Sequence, residues 1–127
     1  MDFLLPSSMS SIIPVFKKMS PLLAVTDIGR AIEFYTEKLG FSVDFTYEDF
    51  YAGIVKDGHS IHLKADKPPE KKGEDELDIM FYVDGIEGFY EAALKQSIDI
   101  VQPLREMPYG REFYIADPDG NRIGFVE

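Results

Sequence analysis

The strongest constraint on the fold of this chain is a pattern of elements that occurs twice. Each copy begins with an apolar run, passes through an aspartate into a helical segment with a Phe-Tyr pair, and ends in an Asp-Gly turn before a short apolar run. The closing segments, DGHSIHL (57–63) and DGNRIGF (119–125), share the form Asp-Gly-x-x-Ile-x-apolar. This order predicts two copies of one supersecondary unit.

The first copy, module 1, covers about residues 19–65. Its first run, PLLAVT, predicts a strand over 21–26, Asp27 is the expected N-cap of a helix, and Gly40 ends that helix. Alternating apolar residues then predict three strands, at 41–47, 50–56 and 59–65, with Asp57-Gly58 as a hairpin turn. Module 1 therefore reads as βαβββ.

The second copy, module 2, covers about 77–127 and follows a charged, proline-containing linker at 66–76. LDIMFYV (77–83) predicts a strand, Asp84 takes the position of Asp27, and IEGFYEAALKQ predicts a second helix. Three further strands are expected, at about 98–102, 111–116 and 121–126. The sequence thus predicts one α+β domain over 19–127, preceded by an N-terminal extension over 1–18.

Side chains alternate between the two faces of a strand, so each strand can be divided by parity. One face is strongly apolar and should pack beneath the helices: Ile61, Leu63, Ile79, Phe81, Val83, Phe113, Ile115, Ile123 and Phe125. The other face mixes tyrosine, methionine, small residues and single charges: Ser20, Leu22, Ala24, Ser60, His62, Lys64, Asp78, Met80, Tyr82, Glu112, Tyr114, Ala116, Arg122, Gly124 and Val126.

An apolar wall with a few polar anchors is typical of a ligand site, so the mixed face predicts a cupped mixed sheet around a cleft, with the helices on the outer face. The expected ligand-binding residues are His62, Asp78, Met80, Tyr82, Glu112, Tyr114 and Arg122. A plain solvent-facing sheet is the alternative. Gly124 is unusual, because a glycine inside a strand marks a bend or the close approach of another group.

Composition and motif content argue against several classes of function. The formal net charge is −10 and no basic stripe is present, so a nucleic-acid partner is not expected. No apolar run is long enough to span a membrane. The chain has no cysteine, which fits a reducing cytoplasm and excludes disulfides, thiolate nucleophiles and sulfur metal ligands. No phosphate loop, serine-nucleophile motif or dinucleotide fingerprint occurs.

The mixed face carries few candidate metal ligands. The two histidines, His59 and His62, are three residues apart, which places them on opposite faces of a strand and prevents them from sharing one ion. His62 and Asp78 could reach a common cleft, but a catalytic metal usually has at least three protein ligands. Glu112 is the remaining candidate, so His62, Asp78 and Glu112 form the alternative metal set.

Four segments together resemble the vicinal oxygen chelate superfamily, which includes glyoxalase I, extradiol dioxygenases, fosfomycin-resistance proteins and bleomycin-resistance proteins. They are AVTDIGRAIEFYTEKLGF, IHL, FYVDGIEGFYEAAL and REFYIADPDGNRIGF. The resemblance covers 20–127, and its most specific part is the terminal Asp-Pro-Asp-Gly strand. It implies paired βαβββ modules around a cleft, and a homodimer.

The resemblance also implies four metal positions, at the first and last strand of each module. In this chain they are Ser20, His62, Asp78 and Gly124, where glyoxalase-like members have His, Glu, His and Glu. Because the terminal carboxylate is missing, the chain is most similar to the metal-free bleomycin-resistance-like branch.

The expected function is therefore metal-independent binding or sequestration of a small molecule in a dimeric cleft, without catalytic residues or cofactor. A cationic ligand is one option, since Asp78 and Glu112 could meet its charge. The alternative is a lyase, isomerase or dioxygenase that uses a divalent metal ion at His62 and Asp78. A regulatory or scaffold domain with a vestigial cleft is a third hypothesis.

Overall fold

The computed structural model describes residues 12–67, 70, 72–73 and 75–127, so the expected N-terminal extension and linker lie partly outside the described residues. In chain order the elements are β1 (Leu22–Val25), α1 (Ile28–Leu39), β2 (Ser42–Tyr47), β3 (Tyr51–Lys56), β4 (His59–Ala65), β5 (Ile79–Tyr82), α2 (Ile86–Lys95), β6 (Asp99–Met107), β7 (Gly110–Ala116) and β8 (Arg122–Val126).

The strands form two separate four-stranded sheets, one in each module. The strand order is β1-β4-β3-β2 in module 1 and β5-β8-β7-β6 in module 2. In each sheet the first strand runs parallel to the last strand of its module, and the other pairs are antiparallel. The predicted α+β fold with two βαβββ modules is confirmed. Strand β6 is longer than expected and contains register shifts between Ile100 and Arg105.

Local signals in module 1 act as the sequence predicts. The Asp27 carboxylate accepts a hydrogen bond from the backbone N–H of Arg30, and α1 ends at Gly40 with a left-handed φ of 77°. Asp57 and Gly58 have φ values of 50° and 80°, as a type I′ hairpin turn requires. This two-residue turn fixes the register of β3 against β4.

The prediction that Asp84 caps the second helix is wrong. Asp84 does not cap α2; its N-cap is Gly85, which has a φ of 74° and no side-chain acceptor. Instead the Glu127 carboxylate accepts hydrogen bonds from the backbone N–H groups of Gly85 and Ile86, at 3.1 and 2.9 Å. These bonds hold the pKa of Glu127 below its ordinary value. Aligning the modules on Val25 and Val83 places Gly85 opposite Asp27, which is why the aspartate is out of position.

The core follows the predicted parity. The apolar members of β4, β7 and β8 are at most 4% exposed, and those of β5 pack against them as partly buried side chains. At the junction of the modules, the buried Tyr35 hydroxyl donates to Asp117 Oδ2 at 2.8 Å, and Asn121 Nδ2 donates to the Ala24 carbonyl at 2.8 Å. Burial raises the pKa of Asp117 above its ordinary value, although hydrogen bonds from Asn121 and Tyr35 oppose the shift. No helix in the described part of the chain is long and apolar enough to cross a bilayer.

Candidate functional site

Strand register places the mixed-face residues in matching rows across the two sheets. In module 1 the row is Leu22, His62, Gly53 and Phe45. In module 2 the row is Met80, Gly124, Tyr114 and Gln102. Each row contains a glycine beside a large side chain, and the two rows differ in what covers that glycine.

His62 lies in an aromatic cluster on the face of module 1. Its Nδ1 is hydrogen-bonded to the Tyr51 hydroxyl at 2.8 Å, and the Phe45 ring stands edge-on to the imidazole with the ring centroids 5.3 Å apart. Phe45 occupies the space above Gly53, where a Cβ atom would lie 2.2 Å from the ring. Within the described residues His62 Nε2 has no hydrogen-bond partner. Leu22 and Phe45 are 55% and 39% exposed, so this face is accessible.

The space above Gly124 in module 2 is filled by the chain itself. A Cβ atom at this position would lie 2.9 Å from Leu77 Cδ1 and 3.2 Å from both Met80 Cε and Tyr114 Cδ1. Gly124 is buried. The glycine therefore admits neighbouring side chains at the position where metal-using relatives are expected to carry a carboxylate.

Glu112 is fully buried in a network of donors on the same face. Its Oε2 accepts from Arg105 Nε at 2.9 Å and from the Tyr114 hydroxyl at 2.8 Å, and Oε1 accepts from the Tyr109 hydroxyl. Burial alone raises the pKa of Glu112, but the bonds from Tyr109, Arg105 and Tyr114 outweigh it, and the net pKa lies below the ordinary value. The hydrogen bond to Glu112 raises the pKa of Tyr109 to about 12. Glu112 is thus an ionised, internally paired carboxylate.

The other two metal positions are also engaged within the chain. Asp78 Oδ2 accepts from the backbone N–H of Arg122 at 2.9 Å, and Oδ1 pairs with Lys72 Nζ at 3.1 Å. The Ser20 and Ser60 hydroxyls are hydrogen-bonded to each other. The Arg122 guanidinium donates to the Gly73 carbonyl, which holds Gly73 at this end of the sheet.

The expected site residues therefore lie in several separate groups and not in one cluster. Met80 and Tyr114 meet over Gly124, Tyr114 also joins Glu112, and Tyr82 is 86% exposed at the end of β5. His62, Asp78 and Glu112 do not form a metal-binding cluster, and none of three or more His, Cys, Asp or Glu residues occurs in the described ranges. The ligand-binding role of the expected residues stays a prediction.

Sequence reasoning missed Phe45, Tyr51, Leu77 and Arg105. The Asp57-Gly58 turn offered a signal for one of them, since it pairs Lys56 with His59 and therefore places Tyr51 on the His62 face. No comparable signal indicates Arg105, because the register shifts of β6 decide where its side chain emerges.

The family follows from a match to the model of the Glyoxalase/Bleomycin resistance protein/Dioxygenase superfamily over residues 18–125. The match spans both modules, and the chain therefore belongs to this superfamily, as the sequence resemblance predicted. None of the curated protein sequences matches the chain significantly.

Solved structures share the fold at low sequence identity. A glyoxalase/bleomycin resistance protein/dioxygenase from Alicyclobacillus acidocaldarius has a TM-score of 0.74 at 16% identity, covering 86% of this chain and 89% of that one. The genomically encoded fosfomycin resistance protein FosX from Listeria monocytogenes has a TM-score of 0.74 at 14% identity, covering 89% and 93%. A virulence protein from Salmonella typhimurium has a TM-score of 0.63 at 28% identity, covering 88% and 97%.

Proposed function

We propose that this protein binds a small ring-containing molecule, without a metal ion, on the His62 face of module 1. The observation that carries the proposal is the contrast between an accessible aromatic face around His62 and a filled position at Gly124. His62 offers Nε2 to a ligand, while Phe45 and Tyr51 supply aromatic walls. We place this activity in the cytoplasm, which the absence of cysteine supports.

The donor set does not fit the metal that glyoxalase-like relatives are expected to hold. Gly124 contributes no ligand, and Leu77 and Met80 fill the space that a carboxylate would need. Asp78 is already paired with Lys72 and with the Arg122 backbone. We therefore derive no metal-dependent step, and the metal-dependent alternative becomes an outcome of the test.

The chemistry of the wall favours a planar, partly apolar guest. Phe45 and Tyr51 stack with centroids 6.2 Å apart and an interplanar angle of 20°, and aromatic faces of this kind bind rings by offset stacking. Hydrogen bonding to His62 would fix the orientation of the guest. Asp78 and Glu112, the two carboxylates expected to attract a cation, are already paired with Lys72 and Arg105. We therefore propose that the site recognises its ligand by shape and hydrogen bonding more than by charge.

We also propose that two copies assemble around the site. Module 1 exposes several large apolar side chains that a monomer would leave in water. Leu22, Phe45 and Tyr47 lie on the His62 face, Phe50 lies in the β2–β3 turn, and Val43 lies on the opposite face of β2. A second copy would cover part of this surface and close one wall of the cleft, as the family resemblance implies.

The test is a calorimetric titration of the purified protein with planar aromatic compounds, both uncharged and cationic. His62→Ala should weaken binding roughly tenfold, the usual value of one hydrogen bond. His59→Ala is the matched control, because His59 lies on the opposite face of the same strand and is exposed, and it should bind normally. Equal affinity in the two variants would overturn the proposed site.

Metal content separates this proposal from metal-dependent chemistry. We expect elemental analysis of the purified protein to show no stoichiometric transition metal, before and after the His62→Ala change. A retained ion that is lost only in His62→Ala would instead support the lyase, isomerase or dioxygenase hypothesis.

A further inference from the structure

The hydrogen bond between Tyr51 and His62 determines which polar group the module 1 face presents to a ligand. The Tyr51 hydroxyl lies 2.8 Å from His62 Nδ1. The register of β3 against β4 pairs Gly53 with His62 and Tyr51 with Lys64, so Tyr51 lies diagonally across from His62 on the same face. Within the described residues, neither the Tyr51 hydroxyl nor His62 Nε2 has another hydrogen-bond partner. The pair therefore leaves one ring nitrogen, Nε2, for a ligand.

The direction of this hydrogen bond follows from the donors and acceptors of the two side chains. A neutral imidazole has one N–H donor and one acceptor nitrogen, and the bond made by one nitrogen decides where the proton sits. The Tyr51 O–H has no other acceptor among the described residues, and an imidazole nitrogen is a stronger base than a phenol oxygen. Tyr51 therefore donates to Nδ1, and the neutral His62 ring carries its proton on Nε2.

Packing holds Tyr51 in the position that this bond requires. The Phe45 ring stacks on the Tyr51 ring and stands edge-on to His62, and the Tyr51 and His62 rings are 5.5 Å apart at an interplanar angle of 77°. Phe45 reaches this position because Gly53 has no side chain, and a Cβ atom there would overlap the Phe45 ring. The φ of Gly53 is not in the left-handed region, so the space for Phe45 explains this glycine and the backbone does not.

We infer that Tyr51 is a positioning residue that fixes His62 as the Nε2–H tautomer, so that the site selects planar rings with a hydrogen-bond acceptor at their edge. A ring carbonyl oxygen or an unprotonated ring nitrogen would accept from Nε2–H. A ring that offers only a donor would face another donor, and His62 could accept from it only by moving its proton to Nδ1 and losing the bond from Tyr51. Leaving such a donor without a partner costs free energy.

The polar neighbours of His62 along β4 agree with an acceptor in the ligand. Lys64, which follows on the same face, is exposed and carries donors and no acceptor. Ser60, which precedes on that face, is already hydrogen-bonded to Ser20. A ligand edge with an acceptor would therefore meet donors from both His62 and Lys64. This selectivity rests on the proposed function and narrows it to one class of ligand.

NMR spectroscopy of the imidazole nitrogens tests the tautomer without any ligand. The chain has two histidines, so His59→Ala leaves His62 as the only ring to observe. In this background, long-range proton–nitrogen correlation spectra of isotope-labelled protein at about pH 8.5, where a histidine ring is ordinarily neutral, should show a protonated Nε2 and an unprotonated Nδ1. Adding Tyr51→Phe should move the two nitrogen shifts toward each other, because the ring then exchanges between tautomers.

Tyr47→Phe is the matched control for Tyr51→Phe. Tyr47 lies opposite Tyr51 in the register of β2 against β3 and makes no hydrogen bond to His62. Removing its hydroxyl should leave the His62 spectrum unchanged. A spectrum of the Nδ1–H form, or one that responds equally to both tyrosine variants, would overturn the inference.

Three bicyclic probe compounds test what the tautomer selects. Isoquinoline has an acceptor nitrogen, naphthalene has the same shape without it, and indole has an N–H donor. In calorimetric titrations at the same pH, isoquinoline should bind roughly tenfold more tightly than the other two, the usual value of one hydrogen bond. Tyr51→Phe should strengthen indole binding and lower the preference for isoquinoline over indole roughly fivefold. Loss of structure alone would not strengthen binding of either compound.

The outcomes separate this inference from the proposed function. Equal affinity for isoquinoline and indole, with both weakened by His62→Ala, overturns the acceptor preference and leaves the ligand site standing. Binding of none of the three compounds, or binding that His62→Ala does not weaken, overturns the proposed ligand site and the acceptor preference with it.

Discussion

The mixed faces of the two modules have the same backbone plan and opposite states. In module 1 the face around His62 is open, with Leu22 and Phe45 well exposed. In module 2 the corresponding face is closed, and Glu112, Tyr114 and Val126 are at most 5% exposed. The comparison teaches that a repeated βαβββ unit specifies where side chains point, but not whether the surface they form remains available.

The closing of module 2 has two physical causes. Leu77 and Met80 pack into the space that Gly124 leaves, which removes the depression in the sheet. Arg105 and two tyrosine hydroxyls satisfy Glu112, which turns a potential anchor into an internal ion pair. A buried carboxylate with charge-assisted bonds is stable only while its partners remain in place.

The largest expected effect comes from placing a carboxylate at the closed position, where the family resemblance implies one. Gly124→Glu should lower the free energy of unfolding by about 4 kcal/mol, because it overpacks the site and buries a charge without a partner. Gly124→Ala should change it by only about 1 kcal/mol or less, since the ends of Leu77 and Met80 are flexible. Urea unfolding of both variants measures the difference.

A double variant controls for this explanation. Adding Leu77→Ala to Gly124→Glu makes room beside the new side chain and should recover about 1 kcal/mol. A Gly124→Glu protein as stable as the parent would mean that the second face is open, and it would erase the contrast between the modules.

The second largest effect on stability concerns the tyrosines of the two Phe-Tyr pairs, Tyr35 in α1 and Tyr90 in α2. Tyr35→Phe should cost about 2 kcal/mol, because Tyr35 is buried and Asp117 loses a donor. Tyr90→Phe is the matched change in α2 and should cost less than about 0.5 kcal/mol, since Tyr90 is only partly buried. Thermal unfolding of the pair would show equal losses if the two tyrosines had equivalent roles.

A smaller effect separates the two helix caps. Asp27→Ala should destabilise the protein by about 1 kcal/mol, the usual value of an N-cap side chain. Asp84→Ala should leave stability unchanged, because Gly85 and Glu127 form the N-terminus of α2. Chemical denaturation of both variants tests this, and a loss in Asp84→Ala would restore the cap that the sequence predicted.

The smallest effect is a change in acid sensitivity on the closed face. The pKa of Glu112 is lowered in the fold, so its stabilising contribution is complete above its unfolded pKa of about 4.3 and is lost as pH falls through the lower, folded value. Glu112→Gln should therefore be less stable at pH 7, with a stability curve that falls less steeply in acid.

Asp117 provides the comparison of opposite sign. Its pKa is raised in the fold, so protonation favours the folded state and the contribution of Asp117 to the free energy of unfolding grows as pH falls. Asp117→Asn should remove this pH-dependent contribution. Urea midpoints measured from pH 7 to pH 3 would distinguish the two carboxylates. Parallel curves for Glu112→Gln and the parent would show that Glu112 is not held by its donors.

Much of the fold could be predicted because its signals are local. The period of the apolar residues placed α1, and the Asp57-Gly58 turn placed the β3–β4 hairpin, since each signal acts within a few residues. The apolar parity also identified the face of each sheet that forms the hydrophobic core. The cap of α2 was missed because its acceptor, Glu127, is distant along the chain.

By itself, then, the sequence determined the duplicated α+β fold, the superfamily and the absence of a carboxylate at position 124. Only the tertiary structure decided which side chains cover the mixed face of each sheet. Phe45 covers Gly53 and leaves His62 accessible, whereas Leu77 and Met80 fill the space at Gly124 and Arg105 pairs with Glu112. Strand parity fixes the direction of a side chain, but its neighbours across the fold determine whether that side chain meets a ligand, water or its own protein.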